Sequence, residues 1–241
     1  MEWFRIWFDS PYYHILYGNR NEDEAKFFID NLLRHFSFPR DVKILDACCG
    51  RGRHAIYLNS KGFDVTGIDL SESNIAHDRK CECNTLHFFI HDIRNTFRED
   101  YFDCVLNLFS SFGYFESEAE NQEAISSLGK SLKRGGLLII DFMNADVAKK
   151  NLVRAESEEI NNIGFKIKRS VRGNFIEKNI EVIDKSTCYS FMEKVMMLTK
   201  KDFEKYFSAA GLKLKTVFGS YNLDPFVPDS SPRLILVAEK I

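Results

Sequence analysis

The sequence predicts an α/β protein with a seven-stranded, mostly parallel sheet and helices on both faces. An N-terminal helical cap and an inserted antiparallel β-arm complete it. Three observations predict this. Short apolar runs alternate with helix-like stretches up to about residue 150. Uninterrupted apolar runs read as strands buried on both faces, as in a parallel sheet covered by helices. Beyond residue 150 the pattern becomes an apolar/polar alternation around Gly173-Asn174, as in a half-exposed antiparallel sheet.

An aromatic segment opens the chain. Asn21 can cap the first long helix, with Glu24 as its capping-box partner, and that helix should end near Ser37, before Pro39. Strands are predicted at "VKILDA" (42–47), "FDVTGID" (63–69), "LHFFIHD" (86–92), "FDCVLNLF" (102–109) and "GLLIIDFM" (136–143). Helices are predicted near 53–60, 72–81 and 118–132, with Ser71 and Ser117 at cap positions and Glu120 completing a capping box. The arm is "GFKIKRSVR", "FIEKNIEVID" and "CYSFMEKVMML". Thr199 and Asp202 open a helix that stops at Gly211. Two strands follow, "LKLKTVFGSY" and "RLILVAEK", joined by a loop with Pro225, Pro228 and Pro232. The expected division is a cap (1–40), a core (41–150 and 199–241) and an arm (151–198).

Composition narrows the function. The 241 residues are 44% hydrophobic and 28% charged, enough for one large domain with a real core. A net charge of -2 gives no basic surface for nucleic acid. The basic stretch "KIKRSVR" alternates with apolar residues and reads as a solvated strand face. No apolar run approaches the roughly 18 residues that span a bilayer, and the N-terminus does not read as a signal peptide. The expected compartment is the cytoplasm, with Cys48, Cys49, Cys81, Cys83, Cys104 and Cys188 reduced. Their spacing lacks the paired C-x-x-C of a zinc site, so no metal is expected. Aromatic residues make up 14%, including 22 Phe, and can serve a core or an organic-ligand pocket equally.

The segment "DACCGRGRH" (46–54) ends the first strand, where open α/β sheets bind ligands. Gly50 and Gly52 let a backbone approach a ligand closely. Gly50-x-Gly52-x-x-Ala55 fits the nicotinamide fingerprint, and Asp69 lies at about the ribose-binding distance. Asp46 argues otherwise. Its carboxylate would repel a pyrophosphate and attract a cationic ligand.

These motifs resemble those of the class I S-adenosylmethionine (SAM)-dependent methyltransferases. "ILDACCGRG" follows the family's first motif, with Cys48 in place of its usual first glycine. "VTGIDLS" resembles the second, "FFIHDIR" the third, "FDCVLNLFSSFGYF" the fourth, and "LKRGGLLIIDF" the segment leading to the fifth strand. The resemblance implies a three-layer Rossmann-like fold and SAM as cofactor. It implies that Asp69 binds the ribose hydroxyls and Asp92 the adenine amino group. Asp46, Cys48, Gly50, Gly52, Leu70, Ile93 and Asn107 complete the implied cofactor set.

The segment "SPYYHILYGNR" (10–20) resembles the cap of small-molecule and amino-sugar N-methyltransferases. That likeness implies cofactor contact by Tyr13 and acceptor contact by Tyr114. Tyr12, Tyr17 and Phe109 are further acceptor-binding candidates, and Tyr114, His14 and Asn107 are the catalytic candidates. "NLFS" lacks the Pro-Pro-aromatic continuation of base-amine methyltransferases, which lowers DNA or RNA as acceptor. The expected acceptor is a small molecule, methylated on nitrogen rather than oxygen or carbon, and the arm could build a homodimer. An NAD(P)-dependent oxidoreductase using the same loop, and a non-catalytic SAM-binding module, stay open at this level.

Overall fold

The protein is described by a computed structural model over residues 2–18, 22–109 and 111–241. The Asn21 cap expected from the sequence, and Ser110, lie outside the described residues. The cap contributes α1 (Trp3–Trp7), α2 (Pro11–Leu16) and α3 (Glu22–Phe36). The core then alternates: β1 (Lys43–Ala47), α4 (Arg53–Ser60), β2 (Asp64–Asp69), α5 (Glu72–Asp78), β3 (Leu86–Ile90), β4 (Phe102–Asn107), α6 (Glu118–Ser131), β5 (Leu132–Met143) and α7 (Ala145–Lys150). Four strands form the arm: β6 (Ala155–Ile160), β7 (Ile163–Arg172), β8 (Phe175–Asp184) and β9 (Thr187–Met196). The chain closes with α8 (Lys200–Ala209), β10 (Leu212–Phe218) and β11 (Arg233–Lys240).

The main sheet has the order β10-β11-β5-β4-β1-β2-β3. β1 pairs in parallel with both β2 and β4, so the strand order reverses beside β1. β11 runs antiparallel to β5 and to β10. Alternate residues of each central strand face opposite layers, as the pleat requires. Leu45, Val105, Leu138 and Ile140 pack with α6 and α8 through Ile125, Leu128, Phe203 and Phe207. Ile44, Leu106 and Ile139 pack with α3, α4 and α5 through Phe28, Leu32, Leu58 and Ile75. Each such side chain stabilises the fold by about 1.5–3 kcal/mol relative to exposure. A third cluster joins Trp7 and Leu16 of the cap to Phe165, Ile167, Ile180 and Val182 of the arm.

Local chemistry sets the ends. Ser71 Oγ accepts from the Asn74 N–H at the start of α5, and Ser117 Oγ from the Glu120 N–H at the start of α6. Thr199 and Asp202 form a reciprocal capping box on α8, and Gly211 follows that helix at φ 70°. Several details differ from the sequence reading, among them an earlier start of β5 at Leu132, an earlier end of β10 at Phe218 and the unexpected α7. β4 stops at Asn107 because Phe109 adopts φ 58°, outside the strand region. β3 likewise ends at Ile90. The stretch expected to be one helix over 72–81 is α5 followed by a 3₁₀ turn, Arg79–Cys81. The arm has a fourth strand, β6, whose sequence AESEEI carries no apolar alternation and which is held by its ladder to β7.

Candidate active site

The turn after β1 builds the centre of the site. Cys48, Gly50 and Gly52 all stand at positive φ, at 63°, 56° and 64°. A left-handed cysteine is strained by about 1–2 kcal/mol, whereas glycine adopts this region freely. A Cβ on Gly50 would meet nothing within 4 Å, so this stretch of backbone is open to a ligand. Gly52 has a different role: a Cβ there would press on the Phe88 ring at 3.0 Å, so it serves packing. The Gly50 N–H donates to Asp69 Oδ2 at 2.9 Å, and the Ser71 N–H to Asp69 Oδ1 at 2.8 Å. Two strand ends are thereby tied together through one carboxylate. Burial raises the Asp69 carboxyl, opposed by the N–H groups of Ser71 and Gly50.

A cavity opens beside this turn. Tyr13, Cys48, Gly50, Asp69, Leu70, Ser71, Asn74, His91 and Ile93 line it. Phe4, Arg5 and Phe8 of the cap cover it, and Phe109, Phe112, Tyr114 and Phe115 also face it. A groove continues from the same centre, sharing Tyr13, Cys48, Gly50, Asn74, Phe109 and Ser111, and reaches His14, Tyr17, Arg51 and Arg53. The cavity therefore joins a strand-end carboxylate, an apolar slot and an aromatic floor in one space.

The structure brings together Tyr13, Cys48, Gly50, Asp69, Leu70, Ile93, Phe109 and Tyr114 as cavity-lining residues. Other candidates lie off it. Asp46 is 1% exposed, and its Oδ2 accepts from the Ala55 N–H at 3.1 Å, securing the first turn of α4. Burial pushes its carboxyl up to about 7, opposed by the Ala55 N–H and aided by repulsion from Asp69. Asp92 is engaged by arginines: Arg94 Nη2 at 2.7 Å and Arg5 Nη2 at 3.3 Å. Burial raises that carboxyl, but hydrogen bonds and charge from Arg94 outweigh it and leave it below the usual range.

Asn107 is fully buried and lines neither chamber. Its amide donates to the carbonyls of Ala47 at 3.0 Å and Ser111 at 3.2 Å, joining the ends of β1 and β4. Tyr12 lines neither chamber and turns its hydroxyl to Asp184 of the arm at 3.1 Å. His14 and Tyr17 line the groove. Burial, then Arg51, holds His14 below the ordinary imidazole value, so it is neutral at pH 7. Burial and then the carboxylates of Asp69 and Asp46 raise the Cys48 thiol, and all six cysteines are free. Among the described residues there is no cluster of three or more His, Cys, Asp or Glu able to hold a metal ion.

The sequence reading brought Tyr13 of the cap to the site but missed Phe4, Arg5 and Phe8 as its wall. Phe4 and Phe8 lie one helical turn apart in WFRIWF, and that spacing was the available signal. Ser71 was missed as a lining residue because a cap position reads first as helix initiation, and Asn74 because it lies within the first turn of α5.

A protein-family comparison matches residues 44–136 to a methyltransferase domain. A dTDP-3-amino-3,4,6-trideoxy-alpha-D-glucopyranose N,N-dimethyltransferase from Streptomyces venezuelae is 26% identical over 224 residues, covering 86% of this chain and 91% of that protein. Among solved structures, a SAM-dependent methyltransferase from Clostridium acetobutylicum aligns with a TM-score of 0.79 at 15% identity, covering 95% of both chains. A SAM-bound amino pentose methyltransferase from Micromonospora echinaspora aligns with a TM-score of 0.71 at 21% identity, covering 96% of this chain and 98% of that one. The two solved structures speak for the fold, and the domain match and the curated relative for the chemistry. The nicotinamide reading of the glycine turn falls away, and the chain is a class I SAM-dependent methyltransferase.

Proposed function

We propose that this enzyme methylates a nitrogen of a small-molecule amine, an amino sugar being the first class to try. The observation that carries the proposal is the single cavity in which Asp69 and the open Gly50 backbone meet the floor of Phe109 and Tyr114. The residues there suit SAM. A half-buried carboxylate at a strand end matches a ribose diol, an apolar slot between Leu70 and Ile93 matches an adenine, and the open backbone at Gly50 leaves room for an amino-acid end. The relatives add support, since two carry sugar or amino-sugar N-methylation in their names.

Bound SAM supplies a methyl group on a positively charged sulfur, open to direct displacement. This chain's residues then have positioning work. Asp69 accepts from the ribose hydroxyls, and Tyr13 closes the amino-acid end from the cap. Asp92 acts at one remove, anchoring Arg5 in the cavity wall. Phe109, Phe112 and Tyr114 exclude water and align the acceptor nitrogen. An amine must be unprotonated to attack, and the neutral His14 imidazole can accept its proton. Asn107 and Asp46 hold the loops that carry this set.

The described helices include none long and apolar enough to cross a membrane. We place the enzyme in the cytoplasm on its free thiols, and assign its arm as a homodimer contact, which light scattering would test. The central experiment incubates the purified protein with SAM and separate panels of amino sugars, amino acids and hydroxyl acceptors. Mass spectrometry reads S-adenosylhomocysteine (SAH) and the methylated product. Turnover confined to hydroxyl acceptors would overturn the nitrogen assignment.

A further inference from the structure

One carboxylate of the arm gathers the polar ends of two cap aromatics. Trp7 Nε1 donates to Glu193 Oε1 at 2.7 Å, and the Tyr17 hydroxyl donates to the same oxygen at 2.6 Å. Lys178 lies 3.6 Å from the other carboxylate oxygen and also donates to the Tyr17 hydroxyl. The cluster is largely dry: Trp7 is fully buried, and the Glu193 side chain is 17% exposed. A buried polar group held by several partners fixes its neighbours in one arrangement.

The two rings so fixed are neighbours of Tyr13. Its ring lies 5.6 Å from Trp7 in an edge-on contact and 5.0 Å from Tyr17. Phe8 closes a third side at 4.9 Å. Tyr13 itself borders both the cavity and the groove, beside Cys48 and Gly50. Glu193 lines neither chamber, so any influence it has on the cofactor passes through these rings.

We infer that Glu193 is a positioning residue for Tyr13, and that the β-arm thereby sets the affinity of the site for the amino-acid end of the cofactor. This rests on the proposed role of Tyr13 at that end. The adenosine part would meet Leu70, His91 and Ile93 rather than Tyr13, so it should not feel the arm. The arm is then more than a cover: it holds the cap residue against which the cofactor is aligned.

Calorimetry with SAH and with 5′-methylthioadenosine, which lacks the amino-acid end, tests this on the full chain. Glu193→Ala is expected to weaken SAH by about tenfold and 5′-methylthioadenosine by less than about twofold. Glu193→Gln keeps an oxygen that accepts from Trp7 and Tyr17, and should bind SAH within about twofold of wild type. Tyr17→Phe removes one donor, keeps the ring, and should weaken SAH by about threefold, which decides the matter if Glu193→Ala does not fold. Wild-type affinity in both Glu193→Ala and Tyr17→Phe, or an equal loss for both ligands, overturns the inference. Wild-type protein that binds neither ligand would overturn the cofactor reading itself.

Discussion

The backbone N–H of Phe109 donates to the buried carboxylate of Asp141 at 2.9 Å. The two residues lie at the ends of the neighbouring strands β4 and β5. Phe109 stands at φ 58°, a conformation that costs a bulky residue roughly 1–2 kcal/mol. Asp141 holds it there, and also accepts from the Tyr221 hydroxyl at 3.1 Å, whose ring stacks on Phe109 at 5.4 Å. Arg233 closes the set at 2.8 Å. One carboxylate thus fixes the backbone and the ring at the floor of the cavity.

Asp141→Ala should therefore do more than remove a hydrogen bond. It removes the fully buried carboxylate paired with Arg233, whose side chain is only 20% exposed. Breaking such a pair is expected to cost about 3 kcal/mol in urea denaturation, with Asp141→Asn costing about half as much. A loss under about 1 kcal/mol for the alanine variant would show that Phe109 keeps its conformation unaided.

Asp69→Ala is expected to weaken SAH by about 1–3 kcal/mol through loss of charge-assisted hydrogen bonds. The same change frees the N–H groups of Gly50 and Ser71, so part of the loss reflects a looser turn. Asp69→Asn separates the two contributions: its oxygen still accepts one N–H, while the negative charge is gone. Calorimetry showing wild-type affinity in both variants would remove Asp69 from the cofactor site.

The sheet was legible because its strands are apolar throughout, and the glycine turn because positive φ selects glycine. The roles of the acidic residues were less legible. Asp46, Asp69 and Asp92 stand alike in sequence, each after an apolar run. In the structure Asp46 secures a helix, Asp69 faces the cavity, and Asp92 is held by Arg94 and Arg5. That difference comes from partners distant in the chain, such as Arg5 of the cap. Tyr12 and Tyr13 are adjacent, yet they face the arm and the cavity respectively, because α2 projects consecutive residues about 100° apart.

The cysteines divide into reactive and inert groups. Cys81, Cys83 and Cys188 are exposed, and backbone and hydroxyl hydrogen bonds from Thr85 lower the Cys83 thiol. Cys48, Cys49 and Cys104 are raised by burial. Titration of the native protein with an aromatic disulfide reagent should show three fast thiols, a slower Cys48 inside the cavity, and Cys49 and Cys104 reacting only on unfolding. SAH should leave the fast count unchanged, since none of the three lines the cavity. Protection of a fast thiol by SAH would contradict this placement of the site.

Asp46 gives the protein a defined pH dependence. Its carboxyl is pushed up to about 7 in the fold from an ordinary value of 3.8. Between those values the native state holds a proton that the unfolded chain has released. Native protein then binds more protons than unfolded, so this group lowers stability as pH rises through that window. The loss levels off above about pH 7 and amounts to a few kcal/mol at most, since each tenfold gain in proton affinity is worth about 1.4 kcal/mol. Asp46→Asn cannot ionise, and its side-chain oxygen can still accept from the Ala55 N–H. Its stability relative to wild type should improve steadily from about pH 4 to about pH 7 and stay constant beyond, as read by urea denaturation across that range. A difference independent of pH would mean that Asp46 is ionised in the native state throughout that range.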